Sequence, residues 1–270
     1  QSELGQLDDA IASFKAMLDK APVSRQAQGR YSLGVALYKA EQYDDAIQQL
    51  RTVLEDFPED RYAAPARLQL GLTQLADGDP GDARKTLKEV ADKDEKRRVT
   101  ARYWLSQCDI REEKYDDARK ILDDLAKLNP PPPNMDEITF DRALCSMAME
   151  KWEDAAGEFA DFRSKYTQSP QLADATYRQA FCLHKTEKYE ESLAMCEAVA
   201  KLPDGGAAQS SKPPAAELAA ENQFLLGRFD AAADAFDALS KDARTDEDRR
   251  RFTFRRGQCA SFNDDFAAAI

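Results

Sequence analysis

Apolar residues recur along the chain at helical spacing around a short motif of one aromatic residue, two acids and an alanine, as in Tyr43-Asp44-Asp45-Ala46. Aligned on that alanine, the anchors are Ala10, Ala46, Ala83, Ala118, Ala155, Ser192, Ala232 and Ala269, spaced by 36, 37, 35, 37, 37, 40 and 37 residues. A period of about 35 residues predicts stacked helical pairs. Three places before the anchors stand Leu7, Tyr43, Pro80, Tyr115, Trp152, Tyr189, Phe229 and Phe266, a bulky residue in every repeat except the one with Pro80. Four places after come Phe14, Leu50, Leu87, Leu122, Phe159, Cys196 and Phe236, and seven after come Met17, Val53, Val90, Leu125, Phe162, Val199 and Leu239. These offsets make one apolar stripe on a trailing helix.

A leading helix precedes each trailing one. Twelve places before the anchors lies a column of small residues, Gly34, Gly71, Ser106, Ala143, Ala180, Ala220 and Gly257, which lets two helices approach closely. Twelve places after, Pro22, Pro58 and Pro130 stop the trailing helix, and Pro203 falls one place early. The third repeat departs at Pro80 and at Glu95, where the stop proline is missing, and the seventh carries Glu217 and Asn222 in apolar columns, so local irregularity is expected in both.

Small residue, turn, aromatic, alanine, Phe or Leu, then Pro: this order resembles the tetratricopeptide repeat, and the likeness covers essentially residues 1–270. It implies an all-α fold, a right-handed α-solenoid of about seven to eight helix-turn-helix repeats in a single array, the first and last incomplete and the whole a piece of a longer chain. The joins Phe57-Pro58-Glu59-Asp60-Arg61-Tyr62-Ala63-Ala64-Pro65-Ala66 and Tyr166-Thr167-Gln168-Ser169-Pro170-Gln171-Leu172-Ala173-Asp174-Ala175 resemble those of bacterial envelope proteins of the outer-membrane-assembly lipoprotein and Tol-Pal coordinator type. That likeness implies a periplasmic scaffold, with the cytoplasm as the alternative. Two segments interrupt the array. The proline-rich join 129–134 is expected to be a stiff polyproline strut, and 204–215, rich in Gly, Ser and Pro, a long flexible loop.

Charge narrows the partners. A net charge of -12 repels nucleic-acid phosphates, which argues against a nucleic-acid partner. No apolar run reaches the ~18 residues of a membrane span, so direct insertion is not expected. Arg249-Arg250-Arg251-Phe252-Thr253-Phe254-Arg255-Arg256 could touch phosphate, but it follows Asp246, Glu247 and Asp248 and reads as a solvated leading helix.

Candidate chemistry dissolves into the repeat. The acid pairs Asp8-Asp9, Asp44-Asp45, Asp116-Asp117, Glu153-Asp154, Glu190-Glu191 and Asp264-Asp265 all fall in the first turn of a trailing helix. There they face the positive end of the helix dipole and are expected to accept from free N–H groups. Cys108, Cys145, Cys182 and Cys259 share the column ten before the anchor, with Ala36 and Thr73, and Cys196 is in the core stripe. Equivalent sites one repeat apart lie on the order of 10 Å from each other, beyond the ~7 Å reach of a disulfide. His184 is the only histidine, and no catalytic, cofactor-binding or metal-ligating set is expected.

The resemblance implies that leading helices line a concave face, with the residues fifteen, eleven and eight before each anchor turned towards it. These are Tyr31, Val35 and Tyr38; Leu68, Leu72 and Leu75; Tyr103, Gln107 and Ile110; Phe140, Leu144 and Met147; and Tyr177, Phe181 and His184. Offsets of four and three keep each trio on one stripe. No lysine and asparagine clamp for a carboxylate tail stands in these columns. A non-catalytic scaffold that binds an apolar or aromatic segment of a protein partner is the expectation, with a recruiting arm of a larger enzyme, or self-association, as alternatives.

Overall fold

The computed structural model describes residues 2–203 and 205–263, and among them every regular element is an α-helix. The anchor Ala269, with Phe266 and the pair Asp264-Asp265, lies outside the described residues, as does Asp204. The chain divides into two compact units, Gln1–Pro133 and Asn134–Ile270, which part inside the proline-rich join. In the first are α1 (Ser2–Leu18), α2 (Val23–Lys39), α3 (Tyr43–Asp56), α4 (Ala63–Ala76), α5 (Pro80–Lys93), α6 (Arg98–Arg111) and α7 (Tyr115–Ala126). In the second are α8 (Met135–Ala148), α9 (Trp152–Lys165), α10 (Leu172–Lys185), α11 (Tyr189–Ala200), α12 (Gly206–Leu225), α13 (Phe229–Asp242) and α14 (Asp246–Phe262).

The residue three before each anchor is the first residue of its trailing helix, from Tyr43 on α3 to Phe229 on α13. Pro80 obeys the same rule. Proline has no N–H to lose at the first helical position, and Asp79 caps the end by accepting from the Asp82 N–H at 2.9 Å. The irregularity expected in the third repeat is absent: α5 has the same 14 residues as α3, and Asp94 replaces the stop proline by accepting from the backbone and guanidinium of Arg97.

The leading helices α2, α4, α6, α8, α10 and α12 end in the same turn. Five residues before the anchor the chain enters the left-handed region, with Glu41, Glu113, Glu150 and Glu187 at φ 59°, 59°, 58° and 60°, and Gly78 and Gly227 at 93° and 73°. The next N–H reaches back to the carbonyl five residues earlier, Gln42 to Leu37 at 2.9 Å and Lys114 to Asp109 at 2.8 Å, which is a Schellman closure.

Between the helices of a pair lies the core. Ala46, Leu50 and Val53 on α3, and Ala155, Phe159 and Phe162 on α9, are fully buried, as the stripe requires. A Cβ added to Gly71 would stand 2.7 Å from Leu87 Cγ, so the small column exists because the trailing helix fills the space.

Two expectations need correction. Residues 206–215 are not a loop but the first half of α12, with Pro213 and Pro214 inside the helix. Ala208, Ser211 and Ala215 are buried there, and packing outweighs the local proline and glycine signals. The strut at 129–134 is not straight: it bends at Asn129 and Pro130, Pro132 is buried, and Pro133 and Asn134 turn into α8.

Candidate protein-interaction face

In the first unit, and between α10 and α12 of the second, the leading helices stand closer together than the trailing ones. Helices α2, α4 and α6 touch in succession, and α10 touches α12, while no two trailing helices come as close among the described residues. Leading helices α2, α4 and α6 in the first unit, and α10 and α12 in the second, therefore lie on the more closely spaced side, and the stripe expected to bind is carried by leading helices.

Depth sorts that stripe. In the first unit Tyr31, Val35, Tyr38, Leu68, Leu72, Gln107 and Ile110 are half-buried. Tyr31 meets Tyr62 at 5.5 Å and Tyr38 meets Tyr43 at 5.9 Å between ring centres. In the second unit Leu144, Met147, Tyr177, Phe181 and His184 are half-buried. Leu75, Tyr103 and Phe140 are core residues instead, exposed by only 2%, 9% and 5%. Phe140 is closed in by the edges of Phe159 and Phe162 at 5.8 and 5.6 Å, and Tyr103 by Trp104 at 5.6 Å. These three cannot reach a partner without unpacking their repeats.

The column of helix entries adds one residue to this face. Trp152, the first residue of α9, packs edge-on against Phe181 at 5.9 Å. The Lys185 ammonium lies over both rings, 5.9 Å from Trp152 and 5.3 Å from Phe181, so the platform is aromatic with a cation on it. Burial holds the Tyr177 hydroxyl above its ordinary pKa. Beyond His184 the face changes character. Glu217 and Glu221 on α12 pair with Arg251 and Arg255 on α14, and Arg255 also lies 4.3 Å above the Phe224 ring. The arginine-rich segment is thus tied to carboxylates, with Arg256 on Asp237 at 3.0 Å and Arg249 on Asp246 at 2.8 Å. The bond to Glu217 holds Arg251 above its ordinary range.

Asn222, an expected irregularity, is wholly buried and orders its surroundings. Its amide donates to Ser192 Oγ at 2.8 Å, and its carbonyl oxygen lies 2.7 Å from His184 Nδ1. The Ser192 hydroxyl donates in turn to the Ala180 carbonyl at 2.7 Å.

The acid pairs and the thiols take their places from the packing of the repeat. The acid pairs sit in the first turns of α3, α7, α9 and α11, and the residues just before those helices, Gln42, Lys114, Lys151 and Lys188, make no side-chain cap. In that place the paired carboxylates face the positive end of the helix dipole, worth ~0.3 to 1 kcal/mol each. Burial pushes the Cys108 thiol up to about 11 and those of Cys182 and Cys196 up to about 12, which keeps them protonated and unreactive at neutral pH. Among the described residues no group of three or more His, Cys, Asp or Glu side chains converges as a metal site, and no helix is long and apolar enough to cross a membrane.

Residues 1–61 and 74–139 each match a family model described as tetratricopeptide repeat. A tetratricopeptide repeat protein from Parabacteroides merdae is similar in structure, with a TM-score of 0.63 at 13% identity over 91% of this chain and 90% of its own. The Pseudomonas aeruginosa pilF structure is similar with a TM-score of 0.63 at 17% identity over 84% of this chain and 96% of its own. At these identities the likeness is one of fold. No curated protein matches the sequence.

Proposed function

We propose that this chain, which is built of tetratricopeptide repeats, is a non-catalytic scaffold that holds a protein partner against the inner face of its leading helices. The observation that carries the reading is the half-buried stripe of Tyr31, Leu68 and Leu72 in the first unit and Tyr177 and Phe181 in the second. Side chains so placed keep apolar surface in water that a partner can cover, at roughly 25 cal/mol for each Å² removed. The partner segment that suits this surface is apolar or aromatic, because the cations beside it are few and Lys185 is already engaged with two rings.

A photo-reactive amino acid at Leu72 or Phe181, on the inner face, and at Lys120 or Ala194, on trailing helices, tests the reading in the source cell. Attachment of one protein from the inner positions alone supports it. Attachment from Lys120 or Ala194, with nothing at Leu72 or Phe181, places binding on the outer surface and sinks it.

The aromatic-proline and serine-proline joins, Phe57-Pro58 and Ser169-Pro170, support a finer reading in which the partner belongs to a bacterial cell envelope. Fractionation of source cells tests this; recovery of the protein with the cytosolic contents alone counts against it.

A further inference from the structure

The hydrogen-bond chain through Ser192 and Asn222 has a direction that chemistry alone imposes. A carbonyl oxygen only accepts, so the single hydrogen of the Ser192 hydroxyl goes to Ala180, 2.7 Å away. Ser192 Oγ then has lone pairs only to offer, and the Asn222 atom 2.8 Å from it must be the amide nitrogen. That leaves the Asn222 oxygen turned to His184 Nδ1 at 2.7 Å. An amide oxygen carries no hydrogen, so the hydrogen between them is on Nδ1. In a neutral imidazole the lone pair is then on Nε2.

Among the described residues His184 Nε2 meets no hydrogen-bond partner, and it is not among the enclosed polar atoms. The ring also packs against Tyr189 in a T-shaped pair, 5.6 Å between centres. An orientation fixed by these two contacts, on the same helix face as Tyr177 and Phe181, gives a lone pair with a set direction.

We infer that His184 is a fixed hydrogen-bond acceptor on the inner face, and that it takes a main-chain N–H of an extended partner segment lying across Tyr177 and Phe181. The inference rests on the inner-face reading given above. Lys185, next in the chain and positioned over Phe181, disfavours a cationic donor and leaves a neutral N–H as the fitting one. Apolar side chains give such a segment its attraction to the stripe. The acceptor gives it a register.

His184 is the only histidine of the chain, so a long-range proton–nitrogen correlation spectrum contains a single imidazole. At alkaline pH the wild type is expected to show a protonated Nδ1 and a bare Nε2. In Ser192→Ala the constraint on Asn222 is gone, and the spectrum is expected to move towards a mixture of tautomers. A wild-type ring protonated on Nε2, or averaged between the two forms, overturns the assignment without any partner being known.

The acceptor role is read with linear peptides selected from a random library on the wild-type chain, each amide then replaced in turn by an ester. One replacement is expected to weaken binding about five- to tenfold in the wild type, the loss of a single hydrogen bond, and to have no effect in His184→Phe. Ester effects that are equal in both proteins overturn the acceptor role while leaving the inner face as the binding surface. Peptides that bind Phe181→Ala as tightly as the wild type overturn the inner-face reading itself, whatever the tautomer.

Discussion

Asn222 donates to Ser192 across 2.8 Å, and each of the two departs from the residue most common in its own column. Ser192 stands where Ala46, Ala83, Ala118, Ala155 and Ala232 stand, and Asn222 where Cys108, Cys145, Cys182 and Cys259 stand. Two departures that look like separate flaws are one buried polar pair between the sixth and seventh repeats. Ser192→Ala strands the Asn222 amide and should cost about 1–3 kcal/mol. Asn222→Ala should cost a similar amount through the cavity and the lost bonds. The double variant should be little worse than Asn222→Ala, giving a coupling of about 1–2 kcal/mol in a denaturation cycle. Strict additivity would show that the pair contributes nothing as a pair.

The turn residues carry a second prediction. Glu41, Glu113, Glu150 and Glu187 hold positive φ with a Cβ in place, where the equivalent Gly78 and Gly227 do not. Each Glu→Gly change should raise stability by about 0.5–1 kcal/mol, and Gly227→Ala should lower it by about 1 kcal/mol. Thermal melts of the single variants decide this; a destabilised Glu113→Gly would mean that the carboxylate does more than sit in water.

How far the columns could be read follows from what periodicity encodes. Helix starts were legible because a bulky residue must seat where the trailing helix meets its partner, and Tyr43, Tyr115, Trp152 and Phe229 all do so. Depth was not legible. Tyr103 and Phe140 share the spacing of Tyr31 and Tyr177, but Trp104, and Phe159 with Phe162, close over them, and which neighbour does so depends on side chains in other columns. The first half of α12 was hidden for a different reason. Gly206, Ser210, Pro213 and Pro214 are local helix breakers, costing up to about 3 kcal/mol for a proline, and only the buried Ala208, Ser211 and Ala215 reveal why a helix wins.

One substitution should act with opposite sign at two glycines. Gly157, on the exposed side of α9, has nothing within 4 Å of an added Cβ, so Gly157→Ala should stabilise by about 1 kcal/mol through helix propensity. At Gly71 the same Cβ stands 2.7 Å from Leu87 Cγ and Cδ2, in a core with no room to give. Overpacking of about 1–3 kcal/mol should exceed the propensity gain, and Gly71→Ala should unfold at lower denaturant. Equal stabilisation at both sites would mean that α4 and α5 can separate freely.

Buried thiols give a pH dependence whose sign can be worked out. Cys182 and Cys196 titrate at about 12 in the folded chain, against about 8.5 for a free thiol. Below the free value both states hold the proton and the thiols contribute nothing to pH dependence. Above it the unfolded chain loses protons that the folded chain keeps, so stability falls as pH rises from about 8.5 towards about 12. Cys182→Ala removes one such group, and the gap between the wild type and this variant should change in the variant's favour across that window. At pH 8 a thiol reagent should label Cys108, Cys182 and Cys196 only as fast as the chain opens, because the neutral buried thiol is no nucleophile. Rapid stoichiometric labelling of the folded chain at these positions would show that the cysteine column is open to solvent.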